Sequence, residues 1–377
     1  MPTIHPQVQK ARDLAPMIEA AGPENDEIRM LTKPVVAALL DGGFFHMLKP
    51  KSVGGMELKP SIFAQVTEAI AKADGSTGWV TCQSNGCSTS AAYLSPKVAR
   101  EIFGPANGIV AWGPPGAPFE AKAVDGGYRI TGAWRFASGS QNATYLGAHM
   151  KVAGAKDTRT FLFPRSSVEM KDIWHTMGLR GTASNEYHAD DLFVPEDHTL
   201  FRDDPRHRTE DGLLYRYTSN QLYSIGFGGV GLGIARGVID AFLDLPANKV
   251  SRGAGKTMRE NNVVQSQLAQ CEARWRSARL LLHNAADEAW DEVEQRGEMT
   301  LEQRAHIRLS STWAIQSARE VVNTLYHAAG SMAVFEENPF ERRLRDIHTV
   351  AQQSQGRQLH YETVGQLMLG LPAENQF

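Results

Sequence analysis

The side chains best able to do chemistry are thinly spread along this chain. Its twelve histidines include no pair four residues apart, and no Cys/His group has zinc spacing, so no metal site is expected. No Gly-x-Ser-x-Gly elbow presents a hydrolase serine, and no Gly-x-x-x-x-Gly-Lys-Ser/Thr loop cradles phosphate. Gly226-Phe-Gly-Gly-Val-Gly231 matches a dinucleotide fingerprint, which works only between a strand and a helix. Both flanks, Asn220 to Ile225 and Leu232 to Phe242, read as helix, so close helix packing is the better reading. Four runs remain: Ala111-Trp-Gly-Pro-Pro-Gly116, Thr131-Gly-Ala-Trp-Arg-Phe-Ala-Ser-Gly139, Gly178-Leu-Arg-Gly-Thr-Ala-Ser184 and Asn338-Pro-Phe-Glu-Arg-Arg-Leu-Arg-Asp346. Each alone is a turn or a cap. Their order and spacing are harder to obtain by chance.

Three zones of different periodicity must position these runs. From about Ile28 to Gly104 the pattern is helical: Val35, Val36, Leu39 and Leu40 form one apolar face, and Ile62, Phe63, Val66 and Ile70 another, after a Pro60-Ser61 start. From about Gly108 to Pro195 the period shortens. Asp125-Gly126 marks a hairpin, and Tyr145 to Val152, Thr160 to Pro164 and Tyr187 to Val194 read as strands. After a charged connector, Arg202 to Asp211, the chain is helical again from Ser219 to Leu371. Val264, Leu268, Cys271, Trp275, Ala278, Leu282, Ala285 and Ala289 trace a 3.5-residue repeat suited to a bundle; Ile315, Ala318, Val322, Leu325 and Ala329 trace a second. The fold class is α+β, in three parts spanning residues 1–106, 107–212 and 213–377.

Composition narrows the setting. A net charge of −3 gives no electrostatic case for nucleic acid or an acidic membrane. Three cysteines, Cys82, Cys87 and Cys271, build no disulfide framework and fit a reducing cytoplasm. The polar N-terminus lacks a secretory apolar segment. The run Ile225 to Ala235 is about half a membrane span, so a soluble protein is expected.

With its helix–β–helix order and those four runs, the chain resembles the acyl-CoA dehydrogenase superfamily over nearly its whole length. It looks closest to the two-component flavin monooxygenases, which include the oxygenase components of p-hydroxyphenylacetate hydroxylase, secosteroid hydroxylases, dibenzothiophene monooxygenase and indole-acetate-oxidising enzymes. The resemblance implies an N-terminal helical domain, a middle β-domain and a C-terminal four-helix bundle, assembled as a homotetramer. It implies reduced FAD or FMN between the β-domain and the bundle, delivered by a separate flavin reductase. Phe136, Ala137, Ser138 and Gly139 would border the flavin ring, with Trp112 and Gly113 in the same cleft. Arg252 would meet phosphate, which its forked guanidinium suits. Gly330 and Arg345 would help close the site, although Arg345 serves equally as a structural ion pair.

Two departures from the family pattern shape the expected chemistry. Dehydrogenases often carry a carboxylate base about nine residues beyond the late Arg-Asp pair; this chain has Gln353-Ser354 there. Hydroxylases often carry histidine there and in the stretch equivalent to Ser84–Ser88; both are missing. Amides do not titrate near neutral pH, so Gln353, Asn85 and Ser138 would orient substrate or a flavin C4a-hydroperoxide by hydrogen bonds. An already electron-rich small aromatic, such as an indole-like ring, fits that role. Trp79, Trp112, Phe119, Tyr215 and Tyr223 are candidate pocket walls, and His348 and His360 the remaining acid–base candidates. A dehydrogenase with an unusual base and a non-catalytic binding relative stay open as alternatives.

Overall fold

Helix signals act where the sequence puts them. Pro60 opens α3 (Pro60–Ala73), where its missing N–H costs no hydrogen bond. Asp74 caps α4 (Gly75–Ser88), accepting from Thr77 N at 2.8 Å. The computed structural model describes residues 4–245, 257–373 and 377. Its N-terminal layer also holds α1 (Pro6–Ile28), α2 (Lys33–Asp41) and α5 (Pro96–Phe103). Helix α1 corrects the expected start near Ile28. It buries only a thin stripe, including Val8, Ala11 and Ile18, and carries Pro16 and Pro23 inside, so its periodicity is faint.

The middle of the chain forms two four-stranded sheets. One runs β1 (Val110–Trp112), β4 (Tyr145–Lys151), β5 (Thr158–Pro164), β8 (Thr199–Leu200); the other runs β2 (Pro115–Val124), β3 (Gly127–Ala137), β7 (Asn185–Pro195), β6 (Glu169–Lys171). Asp125-Gly126 closes the β2–β3 hairpin, with Val124 opposite Gly127. Trp134 and Tyr187, both 0% exposed, stack at 5.3 Å to fill the core. The β3–β7 register shifts between Trp134 and Ala137, and within this bulge Phe136 takes φ +60°. Bulges re-aim side chains, and this one turns β3 out toward the helices.

The C-terminal part comprises α6 (Ser219–Leu243), α7 (Asn262–Arg296), α8 (Leu301–Ala329), α9 (Pro339–Gln352) and α10 (Leu359–Met368). Helix α6 is long and apolar enough to cross a membrane, but 94% of its most apolar window is buried, packed against α3, α4 and α8. Its glycine run lies inside the helix. A Cβ on Gly229 would stand 2.5 Å from Ala64 O, so α3 and α6 approach backbone to backbone.

A latch joins the sheets to the bundle. Leu179 N donates to Asp346 Oδ1 at 2.6 Å, and a Cβ on Gly178 would meet Arg345 O at 2.1 Å. Arg345 reaches both oxygens of Asp26 on α1 at 3.1 Å and both oxygens of Glu341. Two of the four sequence runs therefore meet each other, in an architectural contact.

Candidate active site

The bulge in β3, the end of β1, the inner faces of α4 and α6 and the segment after α9 surround a cavity of about 600 Å³. Its bundle-side wall is an aromatic ladder. Trp79 stacks on Phe227 at 4.0 Å, and Phe227 lies parallel to Tyr223 at 5.7 Å. Tyr223 and Phe227 are four residues apart on α6 and share a face. Trp112, Phe136 and Trp174 also line the cavity; Phe136 is 58% exposed and meets Trp174 edge-on at 5.9 Å. A large ring in the left-handed region at a cavity mouth is backbone strain located where a ligand would touch.

Polar groups line the rest. Trp79 Nε1 donates to Ser138 Oγ at 3.0 Å, and Ser138 Oγ shares a hydrogen bond with Ser184 Oγ at 2.6 Å. Ser184 continues to Thr182 Oγ1 at 2.7 Å, which donates to Leu179 O at 2.8 Å. The hydroxyl chain thus runs from the cavity to the latch. Four amides, Asn220, Gln352, Gln353 and Gln355, line the far side. Gln353 Oε1 accepts from Gln355 N at 2.6 Å. Gln355 Oε1 accepts from Ser224 Oγ at 2.6 Å and from Arg308, whose guanidinium also reaches Ser224 Oγ at 3.1 Å. Arg308 is 4% exposed. Burial lowers its pKa to about 10, so it is a cation at neutral pH.

None of the described residues lining the cavity is Asp or Glu. The one lining imidazole, His149, is held well below its ordinary pKa by burial and then by Arg202. Neutral at pH 7, it pairs Nδ1 with Thr160 Oγ1 at 2.7 Å and Nε2 with Arg202 at 3.3 Å. Burial pushes the Tyr223 phenol well above its ordinary value, so it is neutral too; it lies 3.2 Å from Cys87 Sγ.

The structure brings Trp79, Trp112, Gly113, Phe136, Ser138, Tyr223 and Gln353 together on this cavity. Gly113 is there for backbone reasons, since a Cβ would overlap Arg135 O at 1.6 Å. Ala137 is buried in the strand, and Gly139 sits behind Ser138 with its N–H on Thr182 O at 2.9 Å. Asn85 lies away from the cavity. Its amide nitrogen donates to Phe44 O and Thr81 O at 2.7 and 2.8 Å, and its oxygen accepts from Leu48 N at 3.2 Å, so it ties loops to α4. Tyr215 is also outside, 2% exposed with its hydroxyl on Leu48 O. Phe119 is outside the lining as well. Gly330 is the exposed C-cap of α8, and Arg345 belongs to the latch. His348 pairs with Asn323 Oδ1 and His360 with Ser354 O, neither on the cavity. Arg252 lies outside the described residues.

Sequence reasoning missed Gln83, His149, Trp174, Arg202, Asn220, Phe227, Gln352, Gln355 and Arg357. Helical spacing would have found some. Gln83 follows Trp79 by four, and Asn220, Tyr223 and Phe227 fall at i, i+3 and i+7.

Comparison with known proteins agrees with this architecture. The family "Acyl-CoA dehydrogenase, C-terminal domain" matches residues 225–357. The chain is 30% identical over 351 residues to the indole-3-acetate monooxygenase of Pseudomonas putida, covering 92% of this chain and 89% of that one. It is 29% identical over 353 residues to the flavin-dependent monooxygenase, oxygenase subunit HsaA, of Mycobacterium tuberculosis, covering 89% and 88%. The solved 3-HSA hydroxylase from Rhodococcus sp. RHA1 superposes with a TM-score of 0.90 at 24% identity, covering 98% of both chains. With its sheets, bundle and aromatic cavity, this chain belongs to the flavin-dependent monooxygenases built on the acyl-CoA dehydrogenase fold, and is an oxidoreductase.

Proposed function

We propose that the protein is the oxygenase component of a two-component system, acting in the cytoplasm as a homotetramer. It takes reduced FAD or FMN from a separate reductase and uses O₂ to oxygenate a small aromatic or heteroaromatic substrate, indole-like in its electron richness. The observation that carries this reading is the aromatic cavity with no carboxylate among its described lining residues. Removing an α-proton from a thioester needs such a base; transfer of oxygen to an electron-rich ring does not. The names of relatives for indole-3-acetate oxidation and hydroxylation point the same way.

The residues present suit a flavin. The cavity volume falls within the usual range for ligand sites of about 300–1,000 Å³, and its walls offer flat aromatic faces beside amides and hydroxyls. Arg357 at the exposed rim suits the phosphate end, the role the family resemblance gives to Arg252. Bound reduced flavin supplies the electrons that activate O₂. The protein's share is positional: Ser138, fixed by Trp79 and Ser184, offers a hydroxyl beside the Phe136 ring, and Gln353 offers an amide from the far wall. Trp174 and the aromatic ladder keep water from the reacting atoms. Val263, Leu280 and Leu281, exposed on the outer face of α7, support contact with further copies.

The test supplies reduced FAD or FMN and ¹⁸O₂ with indole and phenol panels. One ¹⁸O atom per product is the expected result. Reduction of bound oxidised flavin by acyl-CoA, with no labelled product, overturns the reading in favour of a dehydrogenase.

A further inference from the structure

The charge inside the cavity is one-sided. Its described lining includes two guanidinium groups, Arg202 and Arg357, and no acid. Arg357 is at the rim, but Arg202 is packed inside, its guanidinium carbon 5.3 Å above the Trp112 ring. Its side chain is 28% exposed. Its one hydrogen bond among the described residues is to neutral His149 at 3.3 Å. The nearest carboxylate, Asp203, stands 3.6 Å from Nε. Both Asp203 oxygens are already engaged by Ser219, through its N at 2.9 Å and its Oγ at 2.7 Å. Arg202 is thus a positioned cation, ion-paired with Asp203 through Nε alone, with donors to spare toward a cavity of aromatic and amide walls. Arg202 and Tyr223 line the same cavity.

We propose that Arg202 holds the anionic tail of the substrate, a carboxylate attached to the aromatic body that lies along Trp79, Phe227 and Tyr223. This rests on the oxygenase reading above and adds the substrate class. The physical reason is that a half-buried guanidinium gains most from a bidentate anion that replaces the water it has lost. Stacking on Trp112 fixes the plane of the fork, so less freedom is lost on binding. Neutral His149 takes one N–H and Asp203 faces Nε, which leaves the outer edge of the fork for the anion.

A flavin phosphate has the same chemistry, and the experiment separates the two. Wild-type protein and the variants Arg202→Gln and Arg202→Lys are titrated by equilibrium dialysis with aryl acetates, including indole-3-acetate, and with the matching uncharged amides. Flavin affinity is measured separately. In wild type the acids bind more tightly than the amides. Arg202→Gln weakens acid binding by at least about tenfold, as expected for a lost charged hydrogen-bond pair. It leaves amide and flavin binding within about twofold, and Arg202→Lys restores part of the acid preference. No acid preference in wild type, equal weakening of acid and amide, or a loss falling on flavin alone overturns the assignment. Labelled product from a neutral aromatic tests the oxygenase reading on its own, so the two failures are distinguishable.

Discussion

Ser138 is a small residue with a large set of obligations. It accepts the Trp79 indole N–H and shares a hydrogen bond with Ser184, so its hydroxyl orientation is coupled to a chain that ends at the latch. Ser138→Ala leaves the buried indole donor without its partner, a cost of about 1–3 kcal/mol. The expected outcome is a several-fold fall in product formed per O₂ consumed, with flavin affinity less affected, measured by comparing oxygen uptake with product yield. Asn85 shows why residue type alone misplaces a site. It follows Trp79 by six residues, about 120° around a helix, so the two cannot share a wall. Gln83, four residues on, can. Strain at Phe136 gives a second expectation. Phe136→Gly and Phe136→Ala both remove the ring, but only glycine accepts φ +60° without strain. The glycine variant should be the more stable by about 1 kcal/mol in urea unfolding.

The elements were legible where one face is wet and the other dry. The β2–β3 hairpin, α3, and the stripes of α7 and α8 follow from alternation or heptad spacing. Helix α1 did not, because proline interrupts it and its buried stripe is narrow. Helix α6 is buried nearly all round, so periodicity locates it poorly and its glycines mimic a cofactor motif. Their role can be checked directly. In Gly229→Ala the new methyl would fall 2.5 Å from Ala64 O and Thr67 Oγ1, forcing α3 and α6 apart. A loss of about 1–3 kcal/mol is expected for such overpacking, read as a lower Tm, together with weaker ligand binding because α4 and α6 form the ladder wall.

Across the whole molecule, the latch sets a pH response. Burial, with Asp74 nearby, pushes the Asp346 carboxyl up to about 7, whereas in the unfolded chain it titrates near 3.8. The folded state therefore holds an extra proton between these values. The stability this group contributes is full below about pH 4 and is lost as pH rises toward 7. Asp346→Asn keeps an acceptor for Leu179 N and cannot titrate. The stability difference between wild type and Asp346→Asn should therefore shift toward the variant as pH rises from 4 to 7, measured by denaturant titration at several pH values. A constant difference across that range would show that the carboxyl is not perturbed.

The latch also separates what may drift from what must stay. The runs around Gly178 and Asp346 hold the halves together, whereas Arg202 and Gln352 to Gln355, which line the cavity beside the ladder, hang from a connector and a helix end. Exchange of one small molecule for another can therefore begin in those peripheral letters. Chains that share the clasp will share a shape while differing in diet, and a search keyed to the clasp will collect cousins without revealing what any of them consumes.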